Sequence, residues 1–271
     1  MITRIITGLV LLAALIIALI LGGWVFSILW IAAVCIAMYE VFRAISAAGH
    51  RPVAWPTWVS LIVSIPCFLL MVSKTGASIL ITVVYLNFLL VCLNVMFRDN
   101  PRLEDLLMSI LPLFTVALPG MSMLAMTRME PILHQRVFLS LTFFVPIVGD
   151  STAYLVGSTY GRIKLNPPIS PKKTLEGAAG GLIGSVAAGV LIYAFASALS
   201  ADLPPFWHFP LLGFLGGIAS QIGDLFASMI KRHCGVKDFG QIFPGHGGMM
   251  DRLDSVLFMA VLVYIYQMFM F

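Results

Sequence analysis

Ionisable residues are concentrated in one stretch, Ser228–Asp254, of a chain in which only 10% of the 271 residues are charged. Apolar segments flank this stretch, and 60% of the whole chain is hydrophobic. A soluble domain is about 45–50% apolar and about 25% charged, so this composition predicts a membrane protein. Ionisable side chains are costly in a bilayer and usually mark a functional site there. Ser228–Asp254 is therefore the first candidate for chemistry.

Four aspartates, Asp150, Asp224, Asp251 and Asp254, are predicted to lie on three helices near one membrane face. Asp251 and Asp254 share a helical face if their helix begins before Asp251. Each aspartate alone could cap a helix or pair with a basic residue. Where several aspartates lie together near a membrane, their negative charge must be neutralised. An Mg²⁺ ion bound to carboxylates and nucleotide phosphates would do so.

Two glycine- or lysine-containing segments are candidates for phosphate binding. Ser170–Lys173 is predicted to open a helix, with Ser170 as the N-cap and Pro171 in the first turn, and a helix N-terminus favours phosphate. These lysines could alternatively be ordinary membrane-surface residues. Pro244–Gly248 predicts a turn whose backbone can approach a ligand closely. His246 in this turn could contact phosphate, act as an acid or be purely structural.

The stretch also resembles the C-terminal signature of the CDP-diacylglycerol synthases, also called phosphatidate cytidylyltransferases. The matching motifs in chain order are Ser228 with Lys231-Arg232, Lys237-Asp238, Pro244-Gly245-His246-Gly247-Gly248 and Asp251-Arg252-Leu253-Asp254. The resemblance reaches Gly149–Ser151 and Ser170–Gly177, so it covers roughly the C-terminal half. The N-terminal half matches only as hydrophobic spans.

The resemblance implies an enzyme that transfers CMP from CTP to phosphatidic acid, giving CDP-diacylglycerol and pyrophosphate. It implies Mg²⁺, a nearby monovalent cation such as K⁺, and a homodimer. The implied catalytic residues are Asp224, Asp251, Lys231 and His246. The implied metal ligands are Asp224 and Asp251, supported by Asp254 and Asp150. The implied substrate- and phosphate-binding residues are Ser170, Lys172, Lys173, Glu176, Ser228, Arg232, Lys237, Gly247, Gly248 and Arg252.

Hydrophobic periodicity and length predict an all-α, polytopic integral membrane protein with about nine transmembrane helices. The predicted spans are Ile5–Leu21, Trp24–Ile45, Trp58–Val72, Ala77–Phe97, Leu106–Met126, Arg136–Gly157, Thr174–Leu199, Phe209–Arg232 and Asp254–Phe271. Pro112 and Pro119 should interrupt the fifth span. We expect a single domain over 1–271, with scaffold spans in 1–135 and catalytic helices in 136–271.

The distribution of basic residues predicts the orientation. With the N-terminus in the cytoplasm, thirteen of the 16 Lys and Arg residues fall in cytoplasmic segments. This asymmetry follows the positive-inside rule and places the C-terminus on the opposite side. It also explains the net charge of +4 without a nucleic-acid partner. We therefore expect a multi-pass protein of the inner (plasma) membrane, with membrane lipid as a partner and its active site at the cytoplasmic face.

Two other functions fit parts of the pattern. One is another CTP-dependent lipid-phosphate enzyme or a polyprenol kinase, which would share the metal and nucleotide chemistry. The other is a transporter, because carboxylates within a membrane also form ion pathways. A transporter needs polar residues across the full bilayer depth. In the outer halves of the sixth, eighth and ninth spans, Arg136 is the only Asp, Glu, Lys or Arg residue, which disfavours an ion pathway.

Overall fold

The computed structural model describes residues 2–70, 74–200 and 202–270, which are predominantly helical. The helices are α1 (Ile2–Leu21), α2 (Gly23–Ala47), α3 (Trp55–Leu70), α4 (Lys74–Met96), α5 (Leu103–Pro112), α6 (Leu118–Met126), α7 (Ile132–Tyr160), α8 (Leu175–Ser197), α9 (His208–His233) and α10 (Met250–Met270). A small antiparallel sheet, β1 (Lys164–Asn166) and β2 (Ser170–Thr174), precedes α8. The predicted helical class is confirmed, whereas this hairpin was not predicted.

Six helical segments of the described chain are long and apolar enough to cross a membrane. They are Gly23–Ala47, Leu103–Met126, Ile132–Tyr160, Leu175–Ser197, His208–His233 and Met250–Phe269. The chain is thus a multi-pass membrane protein. The other three predicted spans also form helices, α1, α3 and α4, but a total of nine spans and the orientation of the termini stay predictions. The predicted span ends at Val72 and Phe271 lie outside the described residues.

The chain divides into two compact units. Unit 1 comprises Met1–Arg128 and His233–Arg252, and unit 2 comprises Met129–Arg232 and Leu253–Phe271. The loop between α9 and α10 therefore belongs to the same unit as the N-terminal helices. The predicted division into scaffold and catalytic halves stays a prediction.

Helix α2 supplies much of the core of unit 1. Val34, Ala37, Met38 and Val41 are completely buried along it. Apolar side chains spaced three and four residues apart form one continuous helical face, so the sequence pattern alone dictates this burial. The indole N–H of Trp30 donates to the Gly120 carbonyl oxygen at 2.8 Å, which ties α2 to α6.

The fifth predicted span is broken in the middle, as its prolines predict. Helix α5 ends at Pro112, a π-helical turn covers Leu113–Ala117, and α6 begins at Leu118 with Pro119 in its first turn. Proline lacks the backbone N–H of a regular helix and clashes with the carbonyl one turn earlier. Together, α4, α5 and the π-helical turn line an apolar cleft of about 400 Å³.

Unit 2 is held together by close contact between small residues of α8 and its neighbour α9. A methyl group on Gly213 of α9 would meet the backbone of Ser185 and Val186 on α8. A methyl group on Gly189 would similarly meet the Phe209 carbonyl. Small residues every four positions allow helix backbones to pack this closely, and dispersion contacts then stabilise the pair.

The helix that carries Asp150 is longer than predicted. Helix α7 runs through Gly149, Asp150 and Ser151 to Tyr160, so this segment neither ends the helix nor caps a break. Asp150 therefore lies inside the helix, as the predicted span Arg136–Gly157 implies. Backbone hydrogen bonding extends the helix beyond the minimum length needed to cross hydrocarbon, which was the basis of the predicted boundary.

Candidate active site

Three of the four predicted aspartates come together in unit 2, each on a different helix. Asp150 lies on α7, Asp224 on α9 and Asp254 on α10. The Ser255 hydroxyl lies 3.5 Å from Asp150 Oδ2 and 3.4 Å from Asp254 Oδ1, so it connects two of these carboxylates. Asp254 is only 8% exposed, and its carboxyl group interacts electrostatically with those of Asp224 and Asp150. We call Asp150, Asp224 and Asp254 the carboxylate cluster.

Two lysines partly compensate the charge of the carboxylate cluster. Lys173 of β2 forms an ion pair with Asp224, and both side chains are partly exposed. Lys231, on α9 and only 9% exposed, interacts electrostatically with Asp254. Burying a charge is costly unless an opposite charge is close, so these lysines explain how the aspartates are tolerated. They also leave amines at the position where phosphates would be neutralised.

The structure corrects the predicted helix start at Ser170–Lys173. These residues lie in β2, and helix α8 begins at Leu175. Thr174 is the actual N-cap, because its backbone is extended and its hydroxyl accepts the Gly177 N–H at 3.1 Å. The expectation that Ser170–Lys173 opens α8, with Ser170 as its N-cap, is therefore wrong. Phosphate binding by the two lysines stays a prediction that no longer depends on a helix end.

The β1–β2 hairpin is attached to both α8 and α9. The Glu176 carboxylate accepts the Ile163 N–H at 3.2 Å, which ties the residue before β1 to α8. A role for Glu176 at the substrate phosphates stays a prediction. The Arg232 guanidinium donates to the Ile169 carbonyl at 3.3 Å. Ser228, one turn after Asp224 on α9, is half-buried, and Lys172 is exposed. The hairpin therefore has a fixed position from which Lys173 reaches Asp224.

The fourth predicted aspartate, Asp251, organises the loop in unit 1. Helix α10 begins at Met250, earlier than the predicted span at Asp254, so the condition for Asp251 and Asp254 to share one helix is met. Asp251 Oδ2 accepts the Phe239 N–H at 2.8 Å and the Gly248 N–H at 3.0 Å. A carboxylate offers about four acceptor positions, so these two bonds are compatible with a further ligand. Its role as a metal ligand stays a prediction.

The Pro244–Gly248 segment is the predicted turn. Phe243 and Gly247 form an isolated antiparallel bridge, and Gly245 and Gly247 have positive φ angles of 77° and 81°. Residues with a Cβ are strained in that region, which explains both glycines. His246 is half-buried, and its Nδ1 atom has no hydrogen-bond partner among the described residues. The remaining predicted groups of this loop, Lys237 and Arg252, are exposed.

Two functional candidates on α2 were missed from the sequence. Glu40 Oε2 accepts the Met250 N–H at 2.9 Å, and the Arg43 guanidinium donates to the Phe239 carbonyl at 2.9 Å. Both contact the loop that carries the signature, although neither belongs to a motif. The available signal was the presence of two ionisable residues, three positions apart, in an otherwise apolar helix.

The described residues contain no group of three His, Cys, Asp or Glu side chains placed to hold a metal ion together. Mg²⁺ commonly uses one or two carboxylates together with substrate phosphates rather than a complete protein cage. The carboxylate cluster, with two lysines beside it, therefore fits a cation that arrives with a nucleotide.

Comparisons with known proteins extend the similarity over almost the entire chain. A sequence model of the cytidylyltransferase family matches residues 2–270. A phosphatidate cytidylyltransferase of Synechocystis sp. is 33% identical, with 96% of this chain and 94% of that relative aligned. Phosphatidate cytidylyltransferase 4, chloroplastic, of Arabidopsis thaliana is 35% identical over 90% of this chain and 67% of its own. A phosphatidate cytidylyltransferase of Thermotoga maritima is 43% identical over 44% of each chain.

The family match and the two relatives aligned over at least 90% of the chain include N-terminal helices, which carry none of the signature motifs. The similarity therefore extends beyond the signature motifs to the N-terminal helices. The chain belongs to the cytidylyltransferase family.

Proposed function

We propose that this chain is a phosphatidate cytidylyltransferase. Its substrates are CTP and phosphatidic acid, and its products are CDP-diacylglycerol and pyrophosphate. The observation that carries the proposal is the alignment of relatives of that name with nearly the whole chain. The carboxylate cluster with its lysines supports it, because phosphoryl-transfer chemistry depends mainly on positioning and charge neutralisation.

The reaction exchanges one phosphorus–oxygen bond for another. A phosphate oxygen of phosphatidic acid attacks the α-phosphorus of CTP, and the bond to the β-phosphate oxygen breaks. Pyrophosphate leaves with that electron pair, so no oxidant or reductant is needed. The attacking and leaving groups are both highly anionic, and the chain must therefore bring cations to them.

Lys173 and Lys231 are the residues proposed to hold these phosphates in unit 2. Lys173 is paired with Asp224. Phosphate would compete with Asp224 for the Lys173 ammonium, and this exchange would free the aspartate for a cation. Lys172, Arg232, Lys237 and Arg252 are exposed and are proposed to make further phosphate contacts.

Asp224 and Asp254, with Asp150 in support, are the proposed metal-binding residues of unit 2. Mg²⁺ bound there with phosphate oxygens would stabilise the charge that develops on the α-phosphate. Asp251 as a further ligand, a nearby K⁺ ion and the homodimer are proposed from the family resemblance. The proposed acid or phosphate-binding role of His246 has the same basis.

We expect activity to require Mg²⁺ or Mn²⁺. Treatment of the purified protein with EDTA should lower CDP-diacylglycerol formation at least about 100-fold, a loss typical of missing electrostatic stabilisation. Excess Mg²⁺ should restore it, whereas Ca²⁺, which prefers more ligands at longer distances, should restore little. The measurement is initial rate against free metal concentration. Full activity in EDTA would contradict the metal assignment.

The orientation of the loop that carries Gln241 is predicted from the distribution of basic residues. A Gln241→Cys variant, made with Cys234 replaced by serine, should react with a membrane-impermeant maleimide only in inverted vesicles. Burial raises the pKa of the Cys234 thiol and so slows its reaction with maleimide. Replacing Cys234 removes any remaining label at that position. Asp202→Cys is the matched control and should react in intact spheroplasts. Reaction of Gln241→Cys in spheroplasts would reverse the orientation.

The reaction is proposed to occur at headgroup depth on the cytoplasmic side of the inner membrane. CTP is water-soluble, whereas phosphatidic acid keeps two acyl chains in the bilayer. Moving a charged headgroup to the bilayer centre costs several kcal/mol, so both substrates should meet near the interface. A lateral opening for the lipid between helices stays a prediction.

Product analysis tests the proposed substrate. Purified protein incubated with CTP and either phosphatidic acid or a polyprenol should form a CDP-lipid only with phosphatidic acid. Mass spectrometry identifies the product by its cytidine diphosphate headgroup. A phosphorylated polyprenol with CDP release would instead identify a polyprenol kinase, and a CDP-lipid formed only from another phosphorylated lipid would identify a different transferase.

A further inference from the structure

We infer that Glu40 of α2 is a positioning residue that fixes the start of α10 and the glycine turn before it. The kinetic part of this inference rests on the proposed function. Glu40 carries no motif and lies 210 residues before the backbone group it binds. It would act through Gly248 and Asp251 rather than by touching a substrate.

The bond from Glu40 to Met250 caps a helix from outside. The first N–H groups of a helix have no partner within the helix and must be satisfied by another acceptor. Met250 is the first residue of α10, and its N–H is donated to Glu40 Oε2 at 2.9 Å. A negative charge at a helix N-terminus is also favourable. Glu40 therefore determines where α10 begins and, with it, the position of Asp251.

The glycines beside Glu40 are required for space. A methyl group added at Gly240 or Gly248 would collide with the Glu40 carboxylate. Neither glycine has a positive φ angle, so a special backbone conformation does not explain them. The loop backbone is in close contact with this carboxylate on both sides of the Pro244–Gly248 turn.

A second set of contacts holds the same backbone. Asp251 accepts the N–H groups of Phe239 and Gly248, and Arg43 donates to the Phe239 carbonyl. Both polar groups of the Phe239 backbone are therefore bound by side chains. Arg43 lies one turn after Glu40 on α2, so one helical face supplies two of the three side chains that fix this loop.

The burial of Glu40 indicates a role beyond stability. The side chain is only 1% exposed, and its Oε1 atom has no hydrogen-bond partner among the described residues. A buried, incompletely satisfied carboxylate is costly, and an apolar side chain of similar size is often as stable. The carboxylate of Glu40 must then serve to position the loop and the start of α10. Comparing the activity of Glu40 variants with their thermal stability can measure this role.

The test compares Glu40→Gln, Glu40→Asp and Glu40→Ala with Ser27→Ala as a matched control. Ser27 is buried on the same helix and contacts Thr127, away from the loop. Gln retains an acceptor at the same reach, whereas Asp is one methylene too short and Ala has no acceptor. We expect kcat to fall about 10–100-fold for Glu40→Asp and Glu40→Ala, which is the usual loss when a residue that orients a functional group is removed. The fall for Glu40→Gln should be less than about 5-fold.

Hydrogen–deuterium exchange provides a readout that does not depend on activity. The peptide covering 239–251 should exchange faster in Glu40→Asp and Glu40→Ala, and at the wild-type rate in Glu40→Gln and Ser27→Ala. Unchanged exchange in Glu40→Ala, or kcat losses that merely follow the loss of thermal stability across all four variants, would overturn the inference. An inactive wild-type protein with the expected exchange pattern would instead contradict the proposed function alone.

Discussion

Asp224→Asn should lower turnover at least about 100-fold while the protein still folds, because it removes charge without changing shape. Asp224 is the member of the carboxylate cluster that pairs with Lys173 and is partly exposed. Asparagine cannot supply the negative charge that a divalent cation requires, and it also leaves Lys173 without its ion pair. Stability should change little, since a partly exposed ion pair contributes at most about 1 kcal/mol.

The control for Asp224→Asn is Asp202→Asn, the same change at an exposed position between α8 and α9. It should keep wild-type turnover. Thermal unfolding in detergent verifies that both variants fold, and the rate of CDP-diacylglycerol formation measures the effect. Wild-type turnover in folded Asp224→Asn would remove the carboxylate cluster from the mechanism.

Gly248→Ala should lower turnover by a similar factor, at least about 100-fold, through displacement of the loop. The new methyl group would collide with the Glu40 carboxylate, and the Gly248 N–H donates to Asp251. Relief of the collision must move either Glu40 or the loop backbone. Overpacking of this kind costs about 1–3 kcal/mol of stability, so the protein should still fold.

Gln241→Ala, at an exposed position of the same loop, is the control for Gly248→Ala and should be as active as the wild type. Both variants are compared by kcat, by KM for CTP and by thermal unfolding. A Gly248→Ala variant with unchanged kcat would show that the close contact between Gly248 and Glu40 has no part in turnover.

Local sequence patterns predicted the helices well and the elements between them less well. The prolines at 112 and 119 act on their own helix, so their effect could be predicted from the local sequence. The strand at Ser170–Lys173 depends on pairing with β1 and on Glu176 binding the Ile163 N–H. Ser170 followed by Pro171 satisfies the same N-cap rule as Thr174, and only this pairing decides between them.

In the candidate site, too, contacts between distant segments could not be predicted from local sequence. Asp150, Asp224 and Asp254 were predicted to converge because each lies near one end of an apolar span, and the structure brings them together. Glu40 was not predicted, because its contacts with Met250, Gly240 and Gly248 join segments about two hundred residues apart. Hydrophobic patterning explains why α2 is buried but contains no information about which backbone group its carboxylate binds.

The central claim is that the chain transfers the cytidylyl group, and the position of a label in CTP tests it most directly. Purified protein is incubated with phosphatidic acid, Mg²⁺ and CTP labelled at either the α- or the γ-phosphate. We expect the α-label in the lipid fraction and the γ-label in pyrophosphate, with neither entering lipid when phosphatidic acid is omitted. Lipid labelled from γ-labelled CTP, or no lipid labelled from α-labelled CTP by a folded protein, would contradict cytidylyl transfer.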